Sequence, residues 1–524
     1  MKKLLFILWV LFAADCLSQA GLSWAKKIGS KNADGAYRIT VDQLGNSYTI
    51  GSFSDRVDFD PGVDTCYLTA LGNFDVYVCK FNALGKFLWA KRFGSTNLEY
   101  GIGICTDNDQ NVYLTGKFSG YMNLNYGTNN GYLGSYGDYD IFIFKLNTNG
   151  DLIWARKIGG SGADAPTDIA VDHENNVYTS GFFNQVVDFD PGDDVFYLES
   201  DSFGPYGDGY INKLDPNGNF AWARKIAGAG YPYNYAIACD PENNLLLTGS
   251  FNQITDMDPG KGIVTFTSAS YPLYLPDIFI SKFNTHGIFT WCRQIAGRSR
   301  KEPRDLAVDK NGFIYLTGNF SDTTDFDPGL GTFDLMSDWA GDMFVSKYNS
   351  NCSLEWVKQI TDTGGWTVPL SIGVDKKGSV YTTGYFSNAD FDPGPAYYFL
   401  QSPSVPGLFV SQLNANGEFE CAFNLGNNSP CGTTGQGLAI GPQSELYVCG
   451  VFSRTIDFDP SAQTLNLTAE GIFDGFVARY SSCSEAVAIE EAFYSVGDPI
   501  IYPNPTNGLL NFKNHLFNEL KVYN

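Results

Sequence analysis

The sequence predicts an all-β fold, a seven-bladed β-propeller of four-stranded blades, and three observations carry the prediction. First, one unit of about 66 residues recurs seven times. It is marked by Gly51, Gly116, Gly181, Gly249, Gly318, Gly384 and Gly450, at steps of 65, 65, 68, 69, 66 and 66 residues. Second, each unit holds four short segments rich in β-branched and aromatic residues, separated by Asn- and Gly-rich turns, and no window in the repeats sustains a helical period. Third, the strand types do not balance locally. The chain opens on a fourth-type strand around Trp24, and the last repeat ends on a third-type strand, Phe476-Val477-Ala478-Arg479. Joining the two completes a seventh blade and removes two open edges. Four strands in each of seven units is a propeller pattern. A linear solenoid is the alternative, but it calls for shorter rungs and for caps of different sequence, and the chain shows no caps.

Within a unit the elements follow in order. The first strand ends in Asp, as in Ile39-Thr40-Val41-Asp42, and an Asn/Gly turn follows. The second closes on Gly and an aromatic, as in Val112-Tyr113-Leu114-Thr115-Gly116-Lys117-Phe118. A stretch written Val57-Asp58-Phe59-Asp60-Pro61-Gly62 and a variable loop come next. The third strand is typified by Asp140-Ile141-Phe142-Ile143-Phe144-Lys145-Leu146. A tight turn leads to the fourth, which carries Trp24, Trp89, Trp154, Trp222, Trp291 or Trp356, with Cys421 in the last such place.

The net charge of −23 excludes the basic patches that nucleic acid requires and fits a soluble extracellular surface. Residues 1–20 read as a signal peptide: Lys2 and Lys3, an apolar run too short to span a bilayer, then Ser18 and Ala20 as small residues before a cut at Gly21. No other segment reads as a transmembrane helix. Ten cysteines follow the leader, and most stand where other copies carry Ala, Ser, Ile or Trp, which reads as core filling. Cys66–Cys79 and Cys421–Cys431 are the local pairs within reach of a disulfide. Residues 21–480 are thus expected to form the propeller, 481–497 a linker, and 498–524 a further unit.

Two resemblances extend this reading. Ile501-Tyr502-Pro503-Asn504-Pro505-Thr506-Asn507-Gly508 resembles the start of the C-terminal sorting domain of the type IX secretion system of Bacteroidetes, and Leu520-Lys521-Val522-Tyr523-Asn524 resembles its second strand. Such domains run to several more strands, so the resemblance implies a partial domain. It implies export through the periplasm to the outer-membrane surface or beyond, with the type IX secretion machinery as partner. The repeats, with their Asp-x-Phe-Val-x-Lys-like strands, Gly-x-x-x-Trp hairpins and Asn-x-Tyr-x-x-Gly-x-Phe strands, resemble bacterial β-propeller repeats of the SBBP type. That family implies a propeller and no defined reaction.

The strongest constellation of candidate ligands is the Asp-x-Asp-Pro-Gly stretch: Asp58/Asp60, Asp188/Asp190, Asp256/Asp258, Asp325/Asp327, Asp390/Asp392 and Asp457/Asp459, with Asn123 and Asn125 in copy two. Two carboxylates on one strand face suit Ca²⁺, though its six to eight oxygens need carbonyls and waters besides. The competing role is a Pro-Gly turn whose Asp side chains accept backbone N–H bonds. Asp42, Asp107, Asp172, Asp240, Asp309 and Asp375 are expected to cap turns, and Lys80, Lys145, Lys213, Lys282 and Lys347 to pair with acidic neighbours across strands. His173 and His286 read as solvated turn residues. No catalytic motif is present, and no acid breaks the sevenfold pattern apart from the irregular Glu302-Pro303-Arg304-Asp305. The function expected is an exported binding scaffold for a glycan or protein. The alternative is an exported hydrolase or lyase using acids in the channel. No cofactor other than calcium is called for.

Overall fold

A computed structural model describes residues 20–124, 131–201, 207–228, 232–362, 364–402, 406–425, 432–483, 500–503 and 510–513, and among these there is no helix. In copy one the strands Gly35–Val41, Ser47–Phe53, Asp75–Phe81 and Phe87–Phe93 pair antiparallel in chain order. The same four-strand order recurs in the next five copies, the last of these running from Thr367–Val374 to Phe419–Asn424. In the final sheet Thr433–Ile440, Leu446–Phe452 and Asp474–Tyr480 are joined by Leu22–Ile28, with Trp24 opposite Arg479 and Ile28 opposite Gly475. The two strands left unpartnered in the sequence therefore pair with each other. First strands of successive copies pack side by side, and Gly35–Val41 packs beside Thr433–Ile440.

The core lies between sheets. Each apolar cluster draws on two neighbouring copies: Trp24, Ile28, Ala36 and Phe59 share one with Tyr447, Cys449 and Val477, while Ile50 and Val78 share another with Leu114 and Phe144. Alternation along each strand sends one face to each neighbour. The Phe between the paired aspartates anchors these clusters: Phe59 is fully buried and stacks edge-on against Phe53 at 5.3 Å and tilted on Tyr77 at 4.9 Å. Phe189, Phe326, Phe391 and Phe458 repeat that packing. Burying one such side chain contributes about 1.5–3 kcal/mol.

The marker glycine has a steric cause. Each first strand carries a bulge, at Tyr37, Ile102, Thr167, Tyr235, Arg304, Leu370 and Gln436. A Cβ on Gly51, opposite the first of these, would stand 1.9 Å from the Gly35 carbonyl oxygen, and the corresponding clash recurs at all seven marker positions. Only Gly admits the bulged partner so close.

The fourth-strand tryptophans tie one copy to the next. Trp89 Nε1 donates to the Thr148 carbonyl at 3.0 Å, Trp154 to Pro216 at 3.1 Å, and Trp24 to Ala83 at 3.1 Å, so Trp24 holds the place of its counterparts. The acceptor lies in the turn before the next copy's fourth strand, and a turn glycine such as Gly85, with φ 73°, lets the indole lie on the backbone.

Three findings differ from the sequence reading. The variable loop opens with an extra hairpin, Arg56–Asp58 against Tyr67–Thr69, repeated in every copy. Cys421 bonds to Cys483, across 62 residues, rather than to Cys431. Cys66 and Cys79 are unbridged, because Cys79 lies buried in the core facing the neighbouring copy. The core-filling reading holds for Cys79, Cys292, Cys352 and Cys449, all buried. Near the C-terminus Ile500–Pro503 pairs with Leu510–Lys513. The expected strand at Leu520–Asn524 lies outside the described residues, as do residues 1–19 of the expected leader.

Candidate functional site

The Asp pairs sit at the tip of the extra hairpin. Asp58 closes its three-residue strand, and Asp60 stands in the turn beyond. Asp58 Oδ1 accepts from the amides of Asp60 at 3.2 Å and Cys66 at 2.8 Å, and Asp60 Oδ1 accepts from Gly62 at 2.8 Å. The other five pairs repeat the pattern. Asp188 accepts from the amides of Asp190 and Phe196, and Asp190 from Gly192. Asp256 accepts from Asp258 and Val264, and Asp258 from Gly260 at 2.8 Å. Asp325 accepts from Asp327 and Phe333, and Asp327 from Gly329. Asp390 accepts from Asp392 and Tyr398, and Asp392 from Gly394 at 2.7 Å. Asp457 accepts from Asp459 and Leu465, and Asp459 from Ser461.

The hairpin clips onto the preceding copy: Asp188 pairs with Gly159, Asp256 with Ala227, Asp325 with Ala296 and Asp390 with Thr361. Asp58, Asp60, Asp188, Asp190, Asp256, Asp258, Asp325, Asp327, Asp390, Asp392, Asp457 and Asp459 are not brought together as a ligand set. Among the described residues no three His, Cys, Asp or Glu side chains gather as a metal-binding group. In each pair one oxygen of either carboxylate accepts from amides of its own hairpin, and a single pair supplies fewer than the six to eight oxygens Ca²⁺ takes.

Asp42 and its equivalents cap turns. Asp42 accepts from the amides of Leu44 and Asn46, each at 2.9 Å, and from the Tyr48 hydroxyl at 3.0 Å. Of the third-strand lysines, Lys145, Lys213 and Lys282 form the expected pairs, with Asp107, Asp172 and Asp240. Lys80 donates instead to Thr148, and Lys347 to the Ala415 carbonyl. The backbone amides of His173 and His286 are held by Asn243 and Asn284 in exposed turns, and His515 lies outside the described residues.

The unequal charges lie on the first strands. The residue after each bulge is Arg38, Gly103, Asp168, Ala236, Asp305, Ser371 or Gly437. The next residue is a buried Ile or Leu, so this position lies on the opposite face of the strand from that side chain. Burial raises the Asp168 carboxyl, the charge of Asp305 in copy five raises it further, and the charge of Arg38 in copy one lowers it. This corrects the expectation that acids follow the sevenfold pattern: Arg38 and Asp168 break it alongside Asp305. Aligning the residue before each Ile or Leu across the seven units would have shown the break.

These groups are engaged. Asp168 Oδ1 accepts from the amide of Ile169 at 2.8 Å, and its Oδ2 from that of Ile237, in copy four, at 2.9 Å. Asp305 Oδ2 accepts from the Ile372 amide and the Ser371 hydroxyl, each at 2.9 Å, and Ser371 Oγ in turn accepts from Leu438 at 3.3 Å. Arg38 donates to the Gln436 carbonyl at 2.8 Å. This strand position therefore ties copy three to four, five to six, six to seven, and seven to one.

Several carboxyls at copy boundaries are held near neutrality. Burial pushes Asp34 up to about 6 and Glu99, Asp164 and Asp168 up to about 7, against the lowering effect of the amides that bond to them. Each folded value lies above the unfolded one, so between about pH 4 and 7 the folded state holds more protons. Stability should therefore rise as pH falls from about 8 to 5, with a Tm higher by several degrees at the acid end. Asp168→Asn, which keeps an acceptor oxygen, should raise Tm at pH 8 and leave it unchanged at pH 5. A Tm that falls steadily between pH 8 and 5 would refute this assignment.

Comparison with known proteins gives the following. The family model of the SBBP beta-propeller repeat matches residues 153–181 and 290–326. An uncharacterized WD repeat-containing protein, L264 of Acanthamoeba polyphaga mimivirus, is 22% identical over 552 residues, covering 90% of this chain. The chain spans 39% of that relative's length. Among solved structures, polysaccharide lyase Uly1 aligns at TM-score 0.39 and 10% identity, over 85% of this chain and 89% of its own. The gluconolactonase XC5397 of Xanthomonas campestris aligns at TM-score 0.30 and 12% identity, over 68% of this chain and 94% of its own. The repeat match and the strand pairing agree on the coarse architecture: all-β, built from β-propeller repeats.

Proposed function

From that premise, a β-propeller repeat protein, we propose a closed ring of seven four-stranded blades that serves as an exported binding scaffold for a glycan or protein ligand. Ring closure is supported by the pairing of Leu22–Ile28 with Asp474–Tyr480 and by the cluster that joins copy seven to copy one. Export to the cell surface or the medium by a type IX route is supported by the residue pattern at both ends of the chain, including the Tyr502-Pro503-Asn504-Pro505 stretch. One observation carries the choice of scaffold over enzyme: the carboxylates that break the sevenfold pattern, Asp168 and Asp305, are engaged by amides of adjacent copies. They hold the wall together. The rival hydrolase or lyase draws on Asp168, whose carboxyl, held up to about 7, has the proton affinity of a general acid or base.

The test is a glycan and protein array with the purified chain, alongside a polysaccharide degradation assay. Binding without turnover is the expected result. Turnover that disappears in Asp168→Asn would establish the rival instead.

The Asp pairs are read as turn formers that clip neighbouring blades. EDTA should then leave Tm unchanged. A chelator-induced drop that Ca²⁺ reverses by mass action would assign calcium to these pairs.

A further inference from the structure

One cleft differs in chemistry from its counterpart between copies seven and one, whose lining includes Tyr37, Thr434, Gln436 and Val451. It lies between copies five and six, has a volume of about 320 Å³, and is walled by Arg300, Glu302, Arg304, Asn319 and Trp366. Its charges come from a stretch where Arg298, Arg300, Lys301 and Arg304 stand within seven residues of a chain whose net charge is −23. The repeat does not require them. Where copy five has Glu302 and Arg304 on its first strand, copy one has Gly35 and Tyr37, copy three Ala165 and Thr167, and copy six Val368 and Leu370.

The cleft is organised before any ligand arrives. Glu302 bridges two guanidiniums, with Oε1 accepting from Arg300 Nε at 2.9 Å and Oε2 from Arg304 Nη2 at 2.9 Å. Two cations sharing one anion leave a net positive group with donors to spare. The backbone beneath is fastened by Lys301. Its side chain is fully buried, ion-paired to Asp277 at 2.9 Å, and donates to the Gly297 carbonyl at 2.8 Å. Copies one to three have Asp34, Glu99 and Asp164 in that place, so the cation at the root of this crossover is a local departure.

Two polar atoms in the walls lack a partner. Arg304 Nε and Asn319 Oδ1 are both buried without a hydrogen bond. The Asn319 amide cannot resolve this by flipping, because its Nδ2 donates to the Thr367 carbonyl. A buried donor and a buried acceptor left open in one cleft are costly unless something fills them. On the facing wall stands Trp366, half-buried and braced edge-on by Tyr385 at 5.0 Å.

We propose that this cleft binds an acidic saccharide, a sugar ring bearing a carboxylate. The carboxylate meets the Arg300 and Arg304 guanidiniums, and the apolar face of the ring lies on Trp366. A guanidinium matches a carboxylate through paired N–H bonds. An acidic peptide is the other anionic candidate. The half-buried Trp366 beside polar groups suits a flat polyhydroxyl ring better than peptide side chains. The inference rests on the scaffold reading and narrows its ligand.

The experiment is titration calorimetry of the full chain with three probes: an oligogalacturonate, a neutral oligosaccharide of equal length, and an oligoglutamate. The oligogalacturonate should bind, weaken with added salt, and exceed the neutral sugar at least tenfold. Arg304→Gln and Trp366→Ala should each reduce binding at least tenfold, with Tm measured to confirm folding, while Trp366→Phe should retain most of it. Equal binding of the neutral sugar or the oligoglutamate would overturn the ligand class. Oligogalacturonate binding that survives both Arg304→Gln and Trp366→Ala would overturn the site while leaving the scaffold reading intact. No binding of oligogalacturonate by the folded wild-type chain would overturn this proposal, and the array then decides the scaffold reading independently.

Discussion

Deleting residues 21–29 should leave a chain that no longer melts cooperatively and that aggregates on a sizing column. The segment supplies an outer strand to a sheet whose other members lie more than 400 residues away, in register from Leu22 opposite Tyr480 to Ile28 opposite Gly475. Its removal takes Trp24, Ala25 and Ile28 out of the core. At about 1.5–3 kcal/mol for each large side chain, plus a row of backbone hydrogen bonds, the loss is comparable with a typical net stability of about 5–15 kcal/mol. It also bares the edge of Asp474–Tyr480, whose fully buried residues would then face other chains. Lys27, which pairs with Glu470, is lost as well, but a surface pair of this kind contributes little. Trp24→Phe should be far milder, about 1 kcal/mol, because it keeps the packing and loses chiefly the bond to the Ala83 carbonyl. A deletion variant with the parental Tm would refute the account.

The second large effect concerns Cys421–Cys483. Cys421 stands opposite Gln412 in the register that places Trp89 opposite Lys80. Trp24, Trp89, Trp154, Trp222 and Trp356, in that place elsewhere, donate to the next copy's turn. In the last sheet the third and fourth strands come from opposite ends of the described chain, so no turn joins them. Cys483 follows Tyr480 at the interval by which Leu84 follows Phe81 and so occupies that turn's place. A covalent bond thus stands where the other sheets carry an indole. A disulfide closing a loop of this length contributes about 4 kcal/mol in the chain-entropy account. Reduction, or the double variant Cys421→Ser/Cys483→Ser, should lower Tm by several degrees and admit protease after Tyr480. The double variant should be indifferent to reductant. If reductant lowers the Tm of both proteins equally, the bond is not the cause.

The sequence made the architecture legible because a repeat amplifies weak local signals sevenfold. One Val-x-Phe-x stretch says little, but several of them at fixed offset from a glycine define a unit. Features that appear once, and short repeated ones without a period of their own, were harder to read. The bulge before Arg38 and Asp168 shifts the strand's alternation by one and hides from the sequence which face they occupy. Cys483 lies beyond the last repeat, so spacing alone favoured the nearer Cys431. The extra hairpin escaped because three-residue strands leave no period to detect. The Asp pairs were recognised as a constellation, yet their role depends on amide directions in the turn, which composition does not encode. Asp258 and Asp392, for example, each turn an oxygen back onto the glycine two residues on.

The bulge has an evolutionary consequence. An extra residue in a strand has no cross-strand partner, so its identity is released from the constraints that fix its neighbours. The seven bulge residues, Tyr37, Ile102, Thr167, Tyr235, Arg304, Leu370 and Gln436, include aromatic, aliphatic, cationic and amide side chains, while the glycine opposite never changes. The molecule thus separates what must be copied from what is free to drift. Duplication of the unit could multiply the scaffold while each new copy brought one unassigned side chain to the same level of the wall. Recognition could then be altered one substitution at a time, without renegotiating the core.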